Sequence, residues 1–204
     1  MPHKPIFITG IGTGIGKTIV SAILVEKLKA DYWKPIQSGD LDNSDTLSVK
    51  KLISNQTSVF HPETYRLTQP FSPHKSAAID GITLQPAEII APKTNNTLII
   101  EGAGGLMVPL NNDFLMIDLI KQLDAEVILV SKSYLGSINH TLLSVYTLKQ
   151  YGIALKGIIF NGAKDASSTE YILNYTGAVE LGHIPEYNTI DKGTIIQAGD
   201  YITL

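Results

Sequence analysis

A glycine-dense loop near the start of the chain contains the residues best suited to binding phosphate. It follows the apolar run Ile6–Gly10 and ends at Gly16, Lys17 and Thr18, where a helical pattern begins. Glycines let backbone N–H groups turn toward an anion, the Lys17 ammonium can reach phosphate oxygens, and the Thr18 hydroxyl can hold magnesium. We therefore predict a phosphate-binding loop, in which five residues rather than the usual four separate Gly10 from Gly16. The alternative is a turn that only joins a strand to a helix.

Two carboxylates could complete a magnesium site with Thr18. Glu101 ends a predicted strand and is followed by glycines that allow close approach, and Asp45 lies at the predicted start of a helix. Mg²⁺ in nucleotide sites binds one or two carboxylates together with phosphates and water. The alternatives are a solvated strand-end acid for Glu101 and an ordinary helix cap for Asp45.

Lys34 and Asn161 also follow predicted strands. The Lys34 ammonium, placed just before a proline, could stabilise charge that develops on a transferred phosphoryl group, although a solvated lysine is the alternative. Asn161 and Gly162 could recognise a base through hydrogen bonds, or Asn161 could cap a loop. These residues predict phosphoryl transfer or a nucleotide-dependent switch and leave the substrate open.

The composition excludes several classes of function. The chain has no cysteine, which rules out disulfides, thiolate metal sites and a cysteine nucleophile. Its 16 basic and 19 acidic residues form no basic block, so we expect no nucleic-acid partner. We also expect no membrane partner and a cytoplasmic location, because no apolar run approaches the roughly 20 residues of a membrane span and no signal-peptide pattern is present.

Apolar strands alternate with helical patterns along the chain. Uninterrupted apolar strands such as residues 97–101 and 126–130 are typical of parallel sheets covered on both faces. The alternation predicts a single domain over residues 1–204 with an α/β fold, a doubly wound, mostly parallel sheet with helices on both faces, of the P-loop NTPase type. Prolines interrupt residues 54–92, where we expect loops with short helices.

In such a fold the ligand crevice lies at the carboxyl ends of the strands. The segments that follow predicted strand ends should therefore share one edge of the sheet. These segments are residues 10–18, 34–38, 101–105, 131–139 and 161–162. The helix after Gly136 is expected to bury the apolar side chains of Ile138, Leu142, Val145 and Tyr146.

Short motifs spread over most of the chain match one enzyme family. They are the loop at residues 9–18, Trp33-Lys34-Pro35-Ile36-Gln37-Ser38-Gly39, residues 43–45, Ser72-Pro73-His74, Glu101-Gly102-Ala103-Gly104-Gly105 with Pro109-Leu110, residues 135–140, Asn161 and Gly182-His183-Ile184-Pro185. In this order they resemble the dethiobiotin synthetases, which close the ureido ring in biotin synthesis. The resemblance implies a ligase whose substrates are 7,8-diaminononanoate, CO₂ and ATP with Mg²⁺. It also implies that one amine becomes a carbamate, that the carbamate is phosphorylated, and that the second amine closes the ring.

The resemblance assigns roles to individual residues. Lys34 and Lys17 would be the catalytic residues, in contact with the carbamate and the γ-phosphate, and Lys34 is the one that matches the family's catalytic lysine. Thr18, Asp45 and Glu101 would hold Mg²⁺. The implied nucleotide contacts are Gly14, Ile15, Gly16, Lys17, Thr18, Ile19, Asp45, Glu101, Gly102, Ala103, Gly104, Asn161, Gly162, Pro185 and Glu186. The implied substrate contacts are Thr13, Ser38, Gly136, Ser137, Ile138 and Asn139.

The family also implies a homodimer. In that arrangement residues 136–139 at a helix start of one subunit receive the substrate carboxylate from the site of the other, and a helix N-terminus favours such an anion. This chain departs from the family loop at Ile11 and Gly12, where a hydroxyl and a carboxylate are missing, and Glu186 is only a candidate for the late adenine contact.

Two other classes of function remain open. One is a dimerising nucleotide-switch ATPase of the partitioning type, although such proteins usually have an additional lysine early in the loop and this loop has none. The other is a scaffold that binds no nucleotide.

Overall fold

The computed structural model describes residues 4–204, so residues 1–3 of the predicted domain lie outside the described residues. The strands are Ile6–Gly10 (β1), Asp31–Trp33 (β2), Ile36–Ser38 (β3), Phe60–His61 (β4), Tyr65–Leu67 (β5), Leu98–Glu101 (β6), Glu126–Lys132 (β7), Leu155–Asn161 (β8) and Glu180–Ile184 (β9). The α-helices are Lys17–Leu28 (α1), Asp45–Leu52 (α2), Pro73–Ile79 (α3), Met116–Gln122 (α4), Ser137–Gln150 (α5), Ala166–Thr176 (α6) and Lys192–Ala198 (α7).

A seven-stranded sheet in the order β4-β2-β6-β1-β7-β8-β9 organises the fold. Every neighbouring pair in it is parallel. All five residues of β1 are buried, and successive side chains face opposite sides of the sheet. Ile8 packs in one apolar cluster with residues of α1, while Phe7 packs in another with residues of α4. The predicted fold class is therefore confirmed, with helices on both faces and the strand order reversing beside β1.

The segment from 54 to 92 differs from the expected loops and short helices. It contains α3, but also β4, which pairs with β2, and β5, which pairs with β3 in a separate two-stranded sheet. Strands of two and three residues are too short to produce a readable alternation.

The segment from Tyr32 to Ile36 is shared between two strands of different sheets. The main-sheet strand ends at Trp33, and Ile36 begins a strand of the second sheet. Pro35 has no N–H for a ladder hydrogen bond, so the chain leaves the main sheet at Lys34.

The orientation predicted for α5 is wrong at Tyr146, whose side chain is 61% exposed. The buried residues of this helix are Ser137, Thr141 and Leu148, and the Thr141 hydroxyl lies 2.9 Å from the Ser131 Oγ of β7. Small hydroxyl side chains allow α5 to lie close to the sheet, while Leu143 and Tyr146 are exposed on its outer side. Within residues 4–204, no helix has both the length and the apolar character needed to cross a bilayer.

Asp31 at the start of β2 fixes the edge of the sheet away from the predicted crevice. Its buried carboxylate accepts hydrogen bonds from the Val59 N–H (3.0 Å), the Thr94 hydroxyl (2.6 Å) and the Asn96 amide (3.1 Å). Burial alone would raise the pKa of Asp31, but these hydrogen bonds outweigh it and lower the pKa below the usual 3.8. The ionised carboxylate therefore stabilises the folded protein.

We predict that Asp31→Asn lowers the free energy of unfolding at pH 7 by about 1–3 kcal/mol, because an amide cannot accept all of these bonds. Since the folded pKa is the lower one, this stabilisation is present above the unfolded pKa of about 3.9 and is lost as the pH falls through the folded value. Denaturant unfolding followed by the fluorescence of Trp33 should show the difference shrinking at acid pH. Asp113→Asn, at an exposed site, should change neither the free energy of unfolding nor its dependence on pH. An equal loss of unfolding free energy in both variants would contradict the prediction.

Candidate active site

A cavity of about 650 Å³ opens at the carboxyl ends of β1, β2 and β6. It is lined by Thr13, Gly14, Gly16, Lys17, Thr18, Ile19, Lys34, Ile36, Gln37, Ser38, Asp45, Pro70, Phe71, Ser72, Pro73, Glu101, Ala103, Gly104 and Val108. The structure thus brings the predicted loop, both carboxylates and Lys34 together at one edge of the sheet. The volume of this cavity falls within the range of small-molecule sites.

The loop between β1 and α1 has the backbone geometry of an anion site. Gly14 and Gly16 have positive φ angles of 71° and 101°, which glycine adopts without strain. No side chain in the described part of the chain caps α1 at Gly16. The first N–H groups of α1 can therefore bind an anion, supported by the helix dipole. The side chain of Ile15 packs in the core, so only its backbone can serve the site.

Lys17 is held beneath this loop. Its ammonium donates to the Gly12 carbonyl at 3.0 Å, and the residue is only 8% exposed. Burial and the neighbouring charge of Lys34 lower the pKa of Lys17 to about 8, against the opposing effect of Glu101 and Asp45. A phosphate beside this ammonium would supply the counter-charge that it lacks.

The oxygens of Thr18, Asp45 and Glu101 converge. The Thr18 hydroxyl lies 3.0 Å from Asp45 Oδ1 and 2.8 Å from Glu101 Oε1. Ser44, whose Oγ accepts from the Leu47 N–H, is the cap of α2, so the cap alternative for Asp45 is wrong. Glu101 is 1% exposed, which excludes the solvated alternative for that residue too.

This set of oxygens fits Mg²⁺, which prefers hard oxygen ligands. Residues 4–204 contain no group of three or more His, Cys, Asp or Glu side chains placed to hold a metal. Two carboxylates and a hydroxyl would leave the remaining positions to phosphate oxygens and water, which is the usual arrangement for Mg²⁺ with a nucleotide.

Lys34 neutralises both carboxylates. Its ammonium lies 2.6 Å from Asp45 Oδ2 and 3.3 Å from Glu101 Oε1, and it donates to the Gly102 carbonyl at 3.1 Å. Burial alone would lower the pKa of Lys34, but Glu101 and Asp45 outweigh it and raise the pKa. For Asp45, burial raises the pKa, but the charge of Lys34, the hydrogen bonds from Lys34 and Thr18 and the charge of Lys17 together outweigh it and lower the pKa. The alternative of a solvated lysine is excluded, since Lys34 is 3% exposed.

Tyr32 belongs to this cluster, although the sequence analysis did not single it out. Its hydroxyl donates to Glu101 Oε2 at 2.9 Å. Burial, followed by the charges of Glu101 and Asp45, raises the pKa of Tyr32 well above 10, so the phenol is a neutral donor. The available signal was a tyrosine, which carries a polar hydroxyl, two residues before Lys34. Gln37 was also missed, and its side-chain carbonyl accepts from the Asp45 N–H at 3.2 Å.

Asn161 ties the end of β8 to the loop. Its amide donates to the Ile15 carbonyl at 2.8 Å, and a Cβ placed on Gly16 would lie only 2.1 Å from the same amide nitrogen. Gly162 and Glu186 lie close together beyond this point, but they do not line the main cavity. A second group of predicted nucleotide contacts therefore lies beside the loop, formed by Asn161, Gly162, Pro185 and Glu186.

Gly102 and residues 136–139, which were also predicted contacts, do not line the main cavity. Gly102 packs against β1, where an added Cβ would lie 2.6 Å from the Phe7 ring, so it fixes the backbone after Glu101. Residues 136–139, at the start of α5, do not line the main cavity within the described chain. A neighbouring groove of about 330 Å³ separates the loop from α5. Thr13 lines both spaces.

Comparison with known sequences identifies relatives along most of the chain. A family model described as an AAA domain matches residues 4–194. A protein of Christiangramia forsetii is 56% identical over 93% of this chain and 91% of its own length. A protein of Cytophaga hutchinsonii is 50% identical over 94% of this chain and 93% of its own length. Both are named ATP-dependent dethiobiotin synthetase.

Solved structures with the same fold are more distant in sequence. A ParA family ATPase from Chlorobium tepidum has a TM-score of 0.58 at 13% identity and covers 98% of this chain and 100% of its own. The cell division ATPase MinD of Pyrococcus furiosus has a TM-score of 0.62 at 14% identity, covering 98% of each chain. At such identities the likeness shows the fold alone.

We predict that Gly16→Ala weakens ATP binding at least about tenfold, because its Cβ would displace Asn161 and a positive φ is unfavourable for alanine. Calorimetric titration with ATP measures the affinity. Gly81→Ala is the matched control, since Gly81 has a similar positive φ of 68° with nothing within 4 Å of an added Cβ. An affinity for ATP in Gly16→Ala equal to that of the unsubstituted protein would show that the contact with Asn161 is dispensable.

Proposed function

Because this chain belongs to the dethiobiotin synthetase family, we propose that the main cavity is where it carries out the ATP-dependent ring closure. The function is the carboxylation of 7,8-diaminononanoate with CO₂ and its cyclisation to dethiobiotin. The observation that supports this location most directly is the convergence of Lys17, Lys34, Thr18, Asp45 and Glu101 in one cavity. We assign the whole activity to one domain over residues 1–204, and we place the enzyme in the cytoplasm, where ATP is available.

ATP binds with its phosphates on the loop and on the N-terminus of α1. The phosphate contacts are Gly14, Ile15, Gly16, Lys17, Thr18 and Ile19, with Ala103 and Gly104 on the facing loop. Gly102 supports that loop through its contact with Phe7. Thr18, Asp45 and Glu101 hold Mg²⁺, which when bound would neutralise phosphate charge. Asn161, Gly162, Pro185 and Glu186 contact the base, since they lie together at the adjacent strand ends. The side-chain carbonyl oxygen of Asn161 is available to accept a hydrogen bond from the base, because the bond to the Ile15 carbonyl uses only the side-chain nitrogen.

The reaction needs three bond-forming steps. An amine nitrogen attacks the carbon of CO₂ and loses a proton, which gives a carbamate. A carbamate oxygen then attacks the γ-phosphorus, and the bond to ADP breaks. Finally the second amine attacks the carbamoyl carbon, the bond to the phosphate oxygen breaks, and the ring closes with loss of a proton.

Lys34 and Lys17 stabilise the negative charge of the carbamate and the phosphates in these steps. Lys34 and Lys17 are the catalytic residues, and both line the cavity in which the carbamate and the γ-phosphate must meet. A fixed cation in a cavity shielded from water stabilises charge more strongly than water does. Most of the catalytic effect therefore comes from positioning and charge neutralisation.

The other wall of the cavity suits the diamine. Ile36, Phe71, Pro73 and Val108 form an apolar surface for its alkyl chain, while Thr13 and Ser38 offer hydroxyl groups near the amines. The carboxylate of the substrate would then reach Gly136, Ser137, Ile138 and Asn139 of a second copy. This arrangement is supported by the position of these four residues, which lie outside the main cavity of their own chain.

A homodimer through α5 accounts for an exposed apolar surface. Met107 and Leu143, both 55% exposed, line the groove between the loop and α5, and Tyr146 of α5 is 61% exposed. A second copy that covers this groove would bring its own α5 toward Thr13. The groove and the main cavity meet at that residue, so the substrate can span both.

We predict that the purified protein forms dethiobiotin from the diamine, bicarbonate, Mg²⁺ and ATP, and that Lys34→Met lowers turnover by about 10²–10³ fold. Methionine keeps the aliphatic stem but removes the ammonium group. Because Glu101 would then lack its buried cation, a loss of stability is also expected, and the fluorescence of Trp33 should verify that the variant is folded at the assay temperature. Mass spectrometry measures the product.

Lys51→Met on the exposed side of α2 is the control and should keep full turnover. Absence of dethiobiotin from the unsubstituted protein under conditions where ATP binds would refute the proposed function. Full turnover in folded Lys34→Met would remove Lys34 from the mechanism but leave that function standing.

We also predict that Leu143→Asp converts a dimer to a monomer, since it buries a charge in the proposed interface. Light scattering measures the mass. Ring closure should fall while ATP binding persists, because only the carboxylate contact comes from the partner. Tyr175→Asp places the same charge on the exposed surface of α6 and should leave the mass unchanged. A monomeric unsubstituted protein with full activity would exclude the shared site.

A further inference from the structure

The two oxygens of the Glu101 carboxylate have different surroundings. Oε1 accepts from the Thr18 hydroxyl at 2.8 Å and lies 3.3 Å from the Lys34 ammonium, on the side of the cavity. Oε2 accepts from the Tyr32 hydroxyl at 2.9 Å, on the side of the core. The carboxylate therefore bridges the reactive cavity and the apolar interior.

The register of the sheet brings Tyr32 to this point. β2 and β6 are parallel, with Tyr32 opposite Ile99 and Trp33 opposite Ile100, so the tyrosine lies two residues before the level of Glu101. Its long side chain spans this distance. The ring is completely buried in the cluster that packs against α1, and it contacts the Phe60 ring with centroids 5.7 Å apart. A tyrosine ring packed in this way holds its hydroxyl in one place.

The backbone of Glu101 is fixed separately from its carboxylate. The Gly102 N–H donates to the Ile8 carbonyl at 3.0 Å, and the Phe7 ring lies so close that a Cβ on residue 102 would be only 2.6 Å from it. The side-chain torsions of Glu101 are not restrained by these contacts. A hydrogen bond to Oε2 restrains them, because it anchors one oxygen and so directs the other.

We propose that Tyr32 is a positioning residue for the ring-closing reaction, whose hydroxyl holds the Glu101 carboxylate with Oε1 directed at the metal position beside Thr18 and Asp45. This inference rests on the proposed function of the cavity. It extends that function to a residue that contacts neither nucleotide nor substrate. Partners of metal-binding carboxylates act in this way in other sites, and their loss typically weakens metal binding about 10–100 fold.

Tyr32→Phe tests the inference, because it removes only the hydroxyl and retains the buried ring. We expect the Mg²⁺ concentration that half-maximally enhances ADP binding to rise about tenfold or more, while the affinity for ADP in EDTA stays unchanged. Calorimetric titration with ADP over a series of MgCl₂ concentrations measures both. The chain's single tryptophan, Trp33, adjoins the substitution, so its emission spectrum reports whether β2 is intact.

Two control variants separate the hydrogen bond from packing. Phe60→Leu reduces the ring contact but keeps the Tyr32 hydroxyl, and it should retain the Mg²⁺ dependence of the unsubstituted protein. Tyr65→Phe removes a different tyrosine hydroxyl, which bonds to Glu88 away from the main cavity, and should also have no effect. An equal shift in Phe60→Leu would overturn the inference, since packing alone would then explain the result.

The outcome for Tyr32 is distinguishable from that for the proposed function. If Tyr32→Phe and the unsubstituted protein show the same Mg²⁺ dependence while both form dethiobiotin, only the positioning role fails. If the unsubstituted protein binds ADP equally well with Mg²⁺ and with EDTA, the metal position and the role of Tyr32 fail together. If it forms no dethiobiotin, the proposed function fails whatever the ADP titrations show.

Discussion

The balance of charge around Lys34 is the interaction on which the cavity depends. An ammonium group that is almost fully buried would be strongly unfavourable alone, and so would the carboxylate of Glu101. Asp45 and Glu101 both pair with the Lys34 ammonium, at 2.6 and 3.3 Å. Because these three residues come from the end of β2, the start of α2 and the end of β6, their pairing also joins the three elements that surround the phosphate-binding loop.

The parallel sheet explains why these groups meet at all. Trp33 of β2 lies opposite Ile100 of β6. The next residue along each strand, Lys34 after Trp33 and Glu101 after Ile100, therefore reaches the same edge of the sheet. Pro35 then directs the chain out of the main sheet, which leaves the lysine at the mouth of the crevice. Helix α2 contributes Asp45 from its first turn, with Ser44 as its cap. Each charged group is therefore positioned by backbone that is fixed independently of it.

The cavity continues on one side into a groove along α5. The nucleotide side is built from one chain, with Asn161 bonded to the loop at the Ile15 carbonyl. On the other side, Thr13 leads into the groove along α5, which is lined by exposed apolar residues such as Met107 and Leu143. This asymmetry agrees with the proposed dimer, in which one chain would bind ATP and the other the substrate carboxylate.

The sequence by itself determined the fold class, the phosphate-binding loop, and the residues Lys34, Asp45 and Glu101 as neighbours, because strand and helix periodicity and strand ends are local properties of the chain. The motifs also identified the family. Only the tertiary structure decided that Lys34 is buried between two carboxylates, that Tyr32 bonds to Glu101, and that Tyr146 faces outward. Those features depend on strand register, on very short strands such as β4, and on which face of α5 packs against the sheet, and none of these is encoded in local periodicity.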